Sequence, residues 1–249
     1  MIDPHFRYEK KTAQVNGYKM AYAEAGDAEG DPIIFLHGNA TSSYMWRNIM
    51  PHVEDLGRLI AIDNIGQGDS DKLKNSDATS YSLGQHQDFI DGTLAALGVT
   101  DNVTFVMHDW GGPIGLNWAR RHPGKIKGLA HSEIVVCNHP SWDEYPEAIG
   151  KLLQTLRGPE GEKLVLEDNF FVEKVFTGGV MRDIDEATMT EMRRPYVEPG
   201  EARRATLSWV RQIPVEGMPE AVAKMVDENA AWMAAHDIPK LFIRADPGQ

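Results

Sequence analysis

The chain has 249 residues, of which 42% are hydrophobic and 25% charged, and its formal net charge is −12. This length suits one large α/β domain, or a core domain that carries an inserted cap. The acidic balance disfavours nucleic acids and anionic membranes as partners. No signal-peptide pattern opens the sequence, and no stretch approaches the roughly 20 apolar residues of a membrane helix, so we expect a cytoplasmic protein.

A single cysteine, Cys137, is present. It cannot form a disulfide within the chain, which suits a reducing cytoplasm. A cysteine can act as a nucleophile, but we expect Cys137 to be a small packed thiol.

Strands and helices alternate in the first half of the chain. The pattern predicts a hairpin around Asn16-Gly17 within residues 12–25, strands at 33–36, 58–62, 103–107 and 126–131, and helices at 43–53, 82–97 and 113–121. This alternation is typical of an α/β fold with a mostly parallel central sheet that helices cover on both faces.

The pattern changes after the sixth core strand. Residues 135–213 contain several helical stretches and no clear strand, which predicts a helical cap inserted over the sheet. A helix at 219–235 and a strand at 240–244 then return to the core. We therefore expect an α/β core at 1–134, a helical cap at 135–213 and a return to the core at 214–249.

The strand at 103–107 runs directly into the sequence His-Asp-Trp-Gly-Gly at residues 108–112, and a helix follows. A strand, a sharp glycine-containing turn and a helix form a nucleophile elbow, which often carries serine at its centre. Here the central residue is Asp109. The N-terminal amides of the following helix favour negative charge beside it.

An aspartate nucleophile changes the chemistry that the elbow can perform. Carboxylates are ionised at neutral pH and can displace a good leaving group from an alkyl carbon, leaving an ester on the enzyme. A base is needed only when water attacks that ester. The alternative is that Asp109 merely caps the helix, which would not account for the strand, the tryptophan and the two glycines together.

The sequence His37-Gly38-Asn39 follows the earlier strand at 33–36. In a fold with a nucleophile elbow, this loop supplies one oxyanion-hole amide and the residue after the nucleophile supplies the other. The expected donors are the backbone N–H groups of Asn39 and Trp110.

Four stretches and the elbow together resemble the haloalkane dehalogenases and their coelenterazine-luciferase relatives, which have the α/β-hydrolase fold. The stretches are FLHGNATSSYMWR at 35–47, DNIGQGDSD at 63–71, EDNFFVE at 167–173 and TLSWVRQIP at 206–214. The resemblance spans nearly the whole chain.

This resemblance implies roles for particular residues. Asp109 would be the nucleophile, while the Asn39 side-chain amide and the Trp110 indole N–H would bind the departing halide. Glu133 would be the acid that orients a catalytic histidine, with Asp246 as a rival because other family members place the acid after the later strand. No cofactor and no metal are expected.

Apolar side chains in the cap are candidates for a substrate pocket. They are Trp142, Phe170, Phe171, Trp209 and Ile213. Each could instead belong to the packed interior of the cap.

Hydrolysis of the ester needs a general base, normally a histidine that comes last in the chain order of the triad. The resemblance implies a histidine after a final strand, and none of the nine histidines of this chain follows a late strand. We therefore expect a chain that lacks its last strand and helix, forms the alkyl ester at Asp109 and hydrolyses it very slowly. Exposed apolar surface at a sheet edge should also make the isolated chain poorly stable.

The expected function is hydrolytic cleavage of a haloalkane by a monomeric enzyme, with a small apolar halogenated substrate, water and a halide ion as its partners. A coelenterazine luciferase-like monooxygenase is one alternative, favoured by Ala40 where dehalogenases usually have proline. An epoxide hydrolase is another, with Tyr145 and Tyr196 as candidate proton donors. A binding protein on a hydrolase fold is the alternative that is not an enzyme.

Overall fold

The computed structural model describes residues 2–246 and 248 and contains a seven-stranded sheet. Its strands are β1 (Lys10–Val15), β2 (Tyr18–Gly26), β3 (Pro32–Leu36), β4 (Arg58–Ile62), β5 (Val103–Asp109), β6 (Ile126–Ile134) and β7 (Lys240–Phe242). They lie in the order β1-β2-β4-β3-β5-β6-β7. β1 and β2 pair antiparallel, and the five strands from β3 to β7 are parallel, so their carboxyl ends meet at one edge.

Six α-helices accompany the sheet in the described residues. They are α1 (Leu83–Ala96), α2 (Gly111–Arg121), α3 (Glu147–Arg157), α4 (Glu186–Arg193), α5 (Arg204–Gln212) and α6 (Glu220–Ala235). α1 begins where the sequence predicts, because Ser82 and Gln85 form a reciprocal capping box. Between β6 and α6 the chain forms helices and no strand.

Two main apolar layers hold the sheet between them. On one face, Ile34, Phe105 and Leu129 belong to a buried cluster that also includes residues of α1, α2 and α6. On the other face, Phe35 and Leu59 pack with Trp46 from the segment that follows β3. Successive residues of β3 thus point to opposite apolar layers, because both faces of a parallel sheet are buried.

The helix predicted at 43–53 is wrong in type. The segment forms three short 3-10 helices at Ser43–Asn48, Met50–His52 and Glu54–Leu56. Pro51 has no backbone N–H and disfavours the α conformation at the residue before it, which prevents one continuous α-helix. Shorter 3-10 turns at Trp142–Glu144, Arg194–Tyr196 and Gly200–Arg203, and π-helical turns at Glu162–Glu167 and Phe171–Phe176, lie between β6 and α6.

Three smaller differences concern the second half of the chain. β6 extends to Ile134, so that Glu133 lies within the strand rather than beyond it, and β7 ends at Phe242. Cys137 is exposed, not packed, because it lies in the irregular segment after β6.

The outer side of β7 forms one edge of the sheet within the described part of the chain. Leu241, Phe242 and Ile243 are 57%, 62% and 54% exposed there. This exposed apolar edge is the feature on which the prediction of poor stability rests. No helix among the described residues is long and apolar enough to cross a membrane.

Candidate active site

Asp109 lies at the carboxyl end of β5 in the left-handed backbone conformation, with φ of 51°. This conformation is uncommon for residues other than glycine and is typical of a strained functional turn. Gly111 permits the close approach of the following helix to β3, because a Cβ at this position would lie 2.2 Å from the carbonyl oxygen of Leu36. α2 can therefore start directly against the sheet, and the turn lifts the Asp109 side chain above the strand ends.

The Asp109 carboxylate is held by backbone amides. The N–H of Asn39 donates to Asp109 Oδ1 at 2.6 Å. Burial raises the pKa of Asp109, whereas nearby His108 and the N–H groups of Asn39 and Trp110 act in the opposite direction. The two amides predicted for the oxyanion hole thus meet on the carboxylate itself.

The capping alternative for Asp109 does not describe this geometry. The residue that precedes α2 is Trp110, and no side chain makes a capping hydrogen bond there. The carboxylate is instead directed to the loop after β3 through Asn39.

The Asn39 side chain is anchored to the segment between β6 and α6. Its Nδ2 donates to the carbonyl oxygen of Thr206 in α5 at 3.0 Å. An amide nitrogen carries two hydrogens, so one N–H remains for an anion beside Asp109.

Trp110 is almost completely buried, with 2% of its surface exposed. Its ring stacks on Trp209 of α5, with ring centroids 4.6 Å apart and planes inclined by 19°. The other side of Trp209 stacks on His86 of α1 at 3.9 Å. The indole of Trp110 is therefore fixed in orientation by a column of three rings.

Of the five predicted pocket residues, Trp209 and Phe171 contact the surroundings of the two halide donors. Phe171 packs against a small cluster that contains Ala40, the neighbour of Asn39. Phe171 and Phe170 also pack with α3 and α5 in a cluster that Ile213 joins.

Trp142 lies in a different environment. The guanidinium of Arg157 lies over its ring at 5.3 Å from the centroid, and Tyr145 is its aromatic neighbour at 5.8 Å. The structure describes no contact between Trp142 and the halide donors, so its assignment to the pocket stays a prediction.

Glu133, like Asp109, has a positive φ, of 48°, at the carboxyl end of the neighbouring strand β6. Its Oε2 lies 3.9 Å from His108 Nε2. A groove of about 790 Å³ is lined by both Glu133 and Asp246, together with His131 and Phe242. Both candidate acids thus face one groove, and the choice between them stays open.

Several histidines surround the site without being placed as its base. His37 is fully buried, with Nδ1 donating to the Gly38 carbonyl and Nε2 accepting from the N–H of Asn64, and burial lowers its pKa to about 4. His86 is buried against Trp209, and His131 stacks on Phe242. In the described residues no group of three or more His, Cys, Asp or Glu side chains is arranged to hold a metal ion.

Substitution of Gly38 tests the fit between the loop and the nucleophile. A Cβ at Gly38 would lie 1.9 Å from Asp109 Oδ1, so Gly38→Ala must displace the carboxylate or the loop. We expect the initial rate of bromide release from 1-bromohexane to fall by about 100-fold, since a displacement near 1 Å costs this much in a positioned reaction. Gly84→Ala, in the first turn of α1, is the matched control, because the nearest atom to its Cβ is Ser82 Oγ at 3.8 Å. Equal rates in both variants would contradict the close contact.

Two buried neutral histidines predict a decline in stability in mild acid. Burial depresses the pKa of His37 to about 4 and that of His86 well below its usual value of 6.5. The unfolded chain therefore binds protons that the folded chain does not, so stability is intact above pH 6.5 and falls as the pH drops toward 4. From His37 alone the loss is about 3 kcal/mol. Urea midpoints measured from pH 7.5 to 4.5 should show this decline.

His86→Phe should weaken that pH dependence, because it keeps a ring on Trp209 but removes one titrating group. His236→Gln is the control, since His236 is exposed. A urea midpoint that does not change between pH 7.5 and 4.5 in the unmodified chain would contradict the prediction.

Some residues of the site carry no separate signal in the sequence. His86 lies within an ordinary amphipathic helix, and Thr206 contributes only its backbone carbonyl. Gln67 is fully buried beside Asn39 and Trp209, although its turn, Gly66-x-Gly68, is visible in the sequence. Only the folded chain brings these groups together.

A comparison with family models matches residues 31–158 to a family described as the alpha/beta hydrolase fold. A haloalkane dehalogenase from Sphingobium indicum is 49% identical over 96% of this chain and 80% of its own length. The coelenterazine h 2-monooxygenase of Renilla reniformis is 41% identical over 87% of this chain and 69% of its own. The expected sequence resemblance is thus confirmed.

A search of solved structures gives the same result. The crystal structure of haloalkane dehalogenase DbeA from Bradyrhizobium elkani superposes with a TM-score of 0.91 and 34% identity, covering 96% of this chain and 81% of that one. The expected fold is therefore confirmed as well. With its elbow aspartate, its parallel sheet and these relatives, the chain belongs to the haloalkane dehalogenase family of the α/β-hydrolase fold.

Proposed function

We propose that this chain cleaves the carbon–halogen bond of small haloalkanes, with Asp109 as the nucleophile and an alkyl-aspartate ester as the intermediate. The observation that carries the proposal is the meeting of Asp109, Asn39 and Trp110 at one edge of the sheet. The relatives named haloalkane dehalogenase support the reaction class.

In the first step, a carboxylate oxygen of Asp109 attacks the carbon that bears the halogen. We assign the attack to Oδ2, because Oδ1 is held by the Asn39 N–H at 2.6 Å. A carbon–oxygen bond forms as the carbon–halogen bond breaks, and its electron pair leaves with the halide. The second side-chain N–H of Asn39, which Thr206 does not accept, and the indole N–H of Trp110 bind that halide as its charge develops.

In the second step, water attacks the carbonyl carbon of the Asp109 ester, and the oxyanion forms on the oxygen that Asn39 and Trp110 amides face. The alkyl–oxygen group leaves as the alcohol, and the carboxylate is regenerated. A base must remove a proton from the water and return it to the departing alkoxide, and Glu133 or Asp246 would orient that base. Their common groove supports a role for this region in the water step.

Substrate and surroundings follow from the same proposal. The partly buried Phe171 packs against the cluster that contains Ala40, the neighbour of Asn39, so we assign a small apolar haloalkane as substrate, with water and halide as the other partners. Trp209 is fully buried and stacks on Trp110. We also propose a monomer in the cytoplasm, and a division into a core at 1–134, a cap at 135–213 and a return at 214–249. The run of helices between β6 and α6 supports this division.

Bromide release and intact mass, measured together, test the proposal. Incubation with 1-bromohexane should release at least one equivalent of bromide for each chain. An increase in mass by one hexyl group should accompany it when the reaction is quenched before water has attacked the ester. Continued turnover without adduct would contradict slow hydrolysis but not the nucleophile. Absence of bromide release would contradict the proposed function.

Light emission from coelenterazine is the second candidate activity. The buried residue Ala40 and the identity to the Renilla reniformis monooxygenase favour it. Light from coelenterazine without bromide release from 1-bromohexane would favour this activity over the first.

Epoxide hydrolysis has less support from the geometry. Tyr196 is buried with Ala40 and Val172, whereas Tyr145 contacts His139 and Trp142, and no described contact joins the two tyrosines. Diol formation from styrene oxide would be required to support this activity.

A further inference from the structure

The two halide donors come from separate parts of the chain. Asn39 lies in the loop after β3, and Trp110 lies at the start of α2. Halide binding needs both N–H groups to converge on one point, so their relative orientation requires a physical connection.

The side chain of Gln67 lies between the neighbours of both donors and is fully buried. With its oxygen toward α5, the Gln67 carboxamide accepts from Trp209 Nε1 at 3.2 Å and donates to the Gly38 carbonyl at 3.1 Å. The opposite orientation would place nitrogen against the indole N–H and oxygen against the carbonyl. The first orientation satisfies both groups, as buried polar atoms require.

Each of these two hydrogen bonds connects Gln67 to one halide donor through one intervening residue. Gly38 precedes Asn39, whose amide N–H holds Asp109, and Trp209 stacks on Trp110 at 4.6 Å. This orientation replaces the hydrogen bond from Gln67 Nε2 to Asn39 Oδ1 with a contact between two oxygens at 3.3 Å, which the two hydrogen bonds gained at Trp209 and Gly38 outweigh. Asn39 nevertheless keeps its nitrogen toward Thr206, since the reverse would place two oxygens 3.0 Å apart.

The backbone of Gln67 is fixed as well. Its N–H donates to the Asn64 carbonyl at 3.0 Å, and its own carbonyl accepts from the N–H of Ser70 at 3.2 Å. Because both backbone hydrogen bonds hold this turn, the Gln67 side chain has few alternative positions. It can therefore fix the position of Gly38 relative to Trp209.

We infer that Gln67 is a positioning residue that couples the orientations of the two halide donors, Asn39 and Trp110. This inference rests on the proposed function. We assign Gln67 no direct contact with substrate or halide, and it acts through Gly38 and Trp209.

Bromide affinity measures this coupling directly. Gln67→Met keeps the length of the side chain but removes both hydrogen bonds. We expect bromide binding, followed by quenching of tryptophan fluorescence, to weaken by about fivefold, the effect of one ordinary buried hydrogen bond. The rate of bromide release at saturating 1-bromohexane should fall by a similar factor, while the half-saturating concentration changes by less than about twofold.

Gln87→Met is the matched control. Gln87 is a buried amide on α1 that bonds Asn117 and Asp91, so its removal tests loss of a buried amide without contact to the donors. Its urea midpoint should fall while its bromide affinity stays unchanged. Asn39→Ala, which removes a donor itself, should weaken bromide binding more than Gln67→Met.

The outcomes separate the inference from the proposed function. Bromide affinity of Gln67→Met within twofold of the unmodified chain would overturn the inference alone, as would equal weakening in Gln87→Met. An unmodified chain that neither binds nor releases bromide would overturn the proposed function and the inference with it.

Discussion

Asp109→Asn is expected to lower bromide release from 1-bromohexane by roughly 10⁴-fold or more, because a neutral amide cannot attack carbon. Asparagine keeps the shape of the side chain and tolerates the left-handed backbone conformation at φ of 51°. The fold should therefore survive, as a urea midpoint would show. No hexyl adduct should appear in the intact mass.

Asp109→Asn also distinguishes a role of Asp109 as the nucleophile from a role as a helix cap. Asparagine caps helices as well as aspartate does, so a capping role would leave bromide release unchanged. Bromide should also bind more tightly, because the change removes a negative charge beside the two donors. Asp88→Asn, at an exposed position on α1, is the control and should behave like the unmodified chain.

Lys10→Met is expected to destabilise the chain by about 3 kcal/mol, because it leaves the buried carboxylate of Asp63 without its cation. Lys10 Nζ lies 2.5 Å from Asp63 Oδ2, and the Asp63 side chain is completely inaccessible. Burial alone would raise the pKa of Asp63, but the charge and hydrogen bond of Lys10 and the backbone N–H of Asp69 keep it below its usual value. The effect should lie at the lower end of the range for buried pairs, since the Lys10 side chain is 22% exposed.

Urea unfolding of two further variants tests this assignment. Lys11 lies beside Lys10 on β1 and pairs with Glu24 of β2 at the surface. Lys11→Met should change stability by less than about 1 kcal/mol. Adding Asp63→Asn to Lys10→Met should recover part of the loss, because the remaining buried group is then neutral. Equal destabilisation by Lys10→Met and Lys11→Met would show that the buried pair has no special role.

Local sequence patterns predict most strands and helices of the α/β core, and they also predict Asp109 as the nucleophile. Asn16-Gly17 gives the hairpin because both residues adopt positive φ, and the apolar run before His108 gives β5. Asp109 was recognisable because the strand, the turn and the helix are consecutive in the sequence. By contrast, Asn39 and Thr206 are 167 residues apart, and no local pattern indicates their hydrogen bond.

The same reasoning explains what was missed around the halide donors. Both Gln67 and His86 contact Trp209, which comes from a helix much later in the chain. The 3-10 character of 43–56 depends on tertiary ties such as the Ser43 N–H that donates to Asp63, which periodicity does not register. The choice between Glu133 and Asp246 remains a matter for experiment.

A row of alternating charges leads from the surface to the interior beside the site. Arg194 pairs with Asp69 at 2.5 Å, Asp69 lies 3.3 Å from Lys10, and Lys10 reaches Asp63. The Arg194 side chain is 46% exposed, so molar salt, with a Debye length of about 3 Å, screens this outer pair but not the inner one. Raising the ionic strength should consequently weaken the attachment of α4 and its adjoining turn to the loop after β4. The loop that carries Asn39 should keep its position.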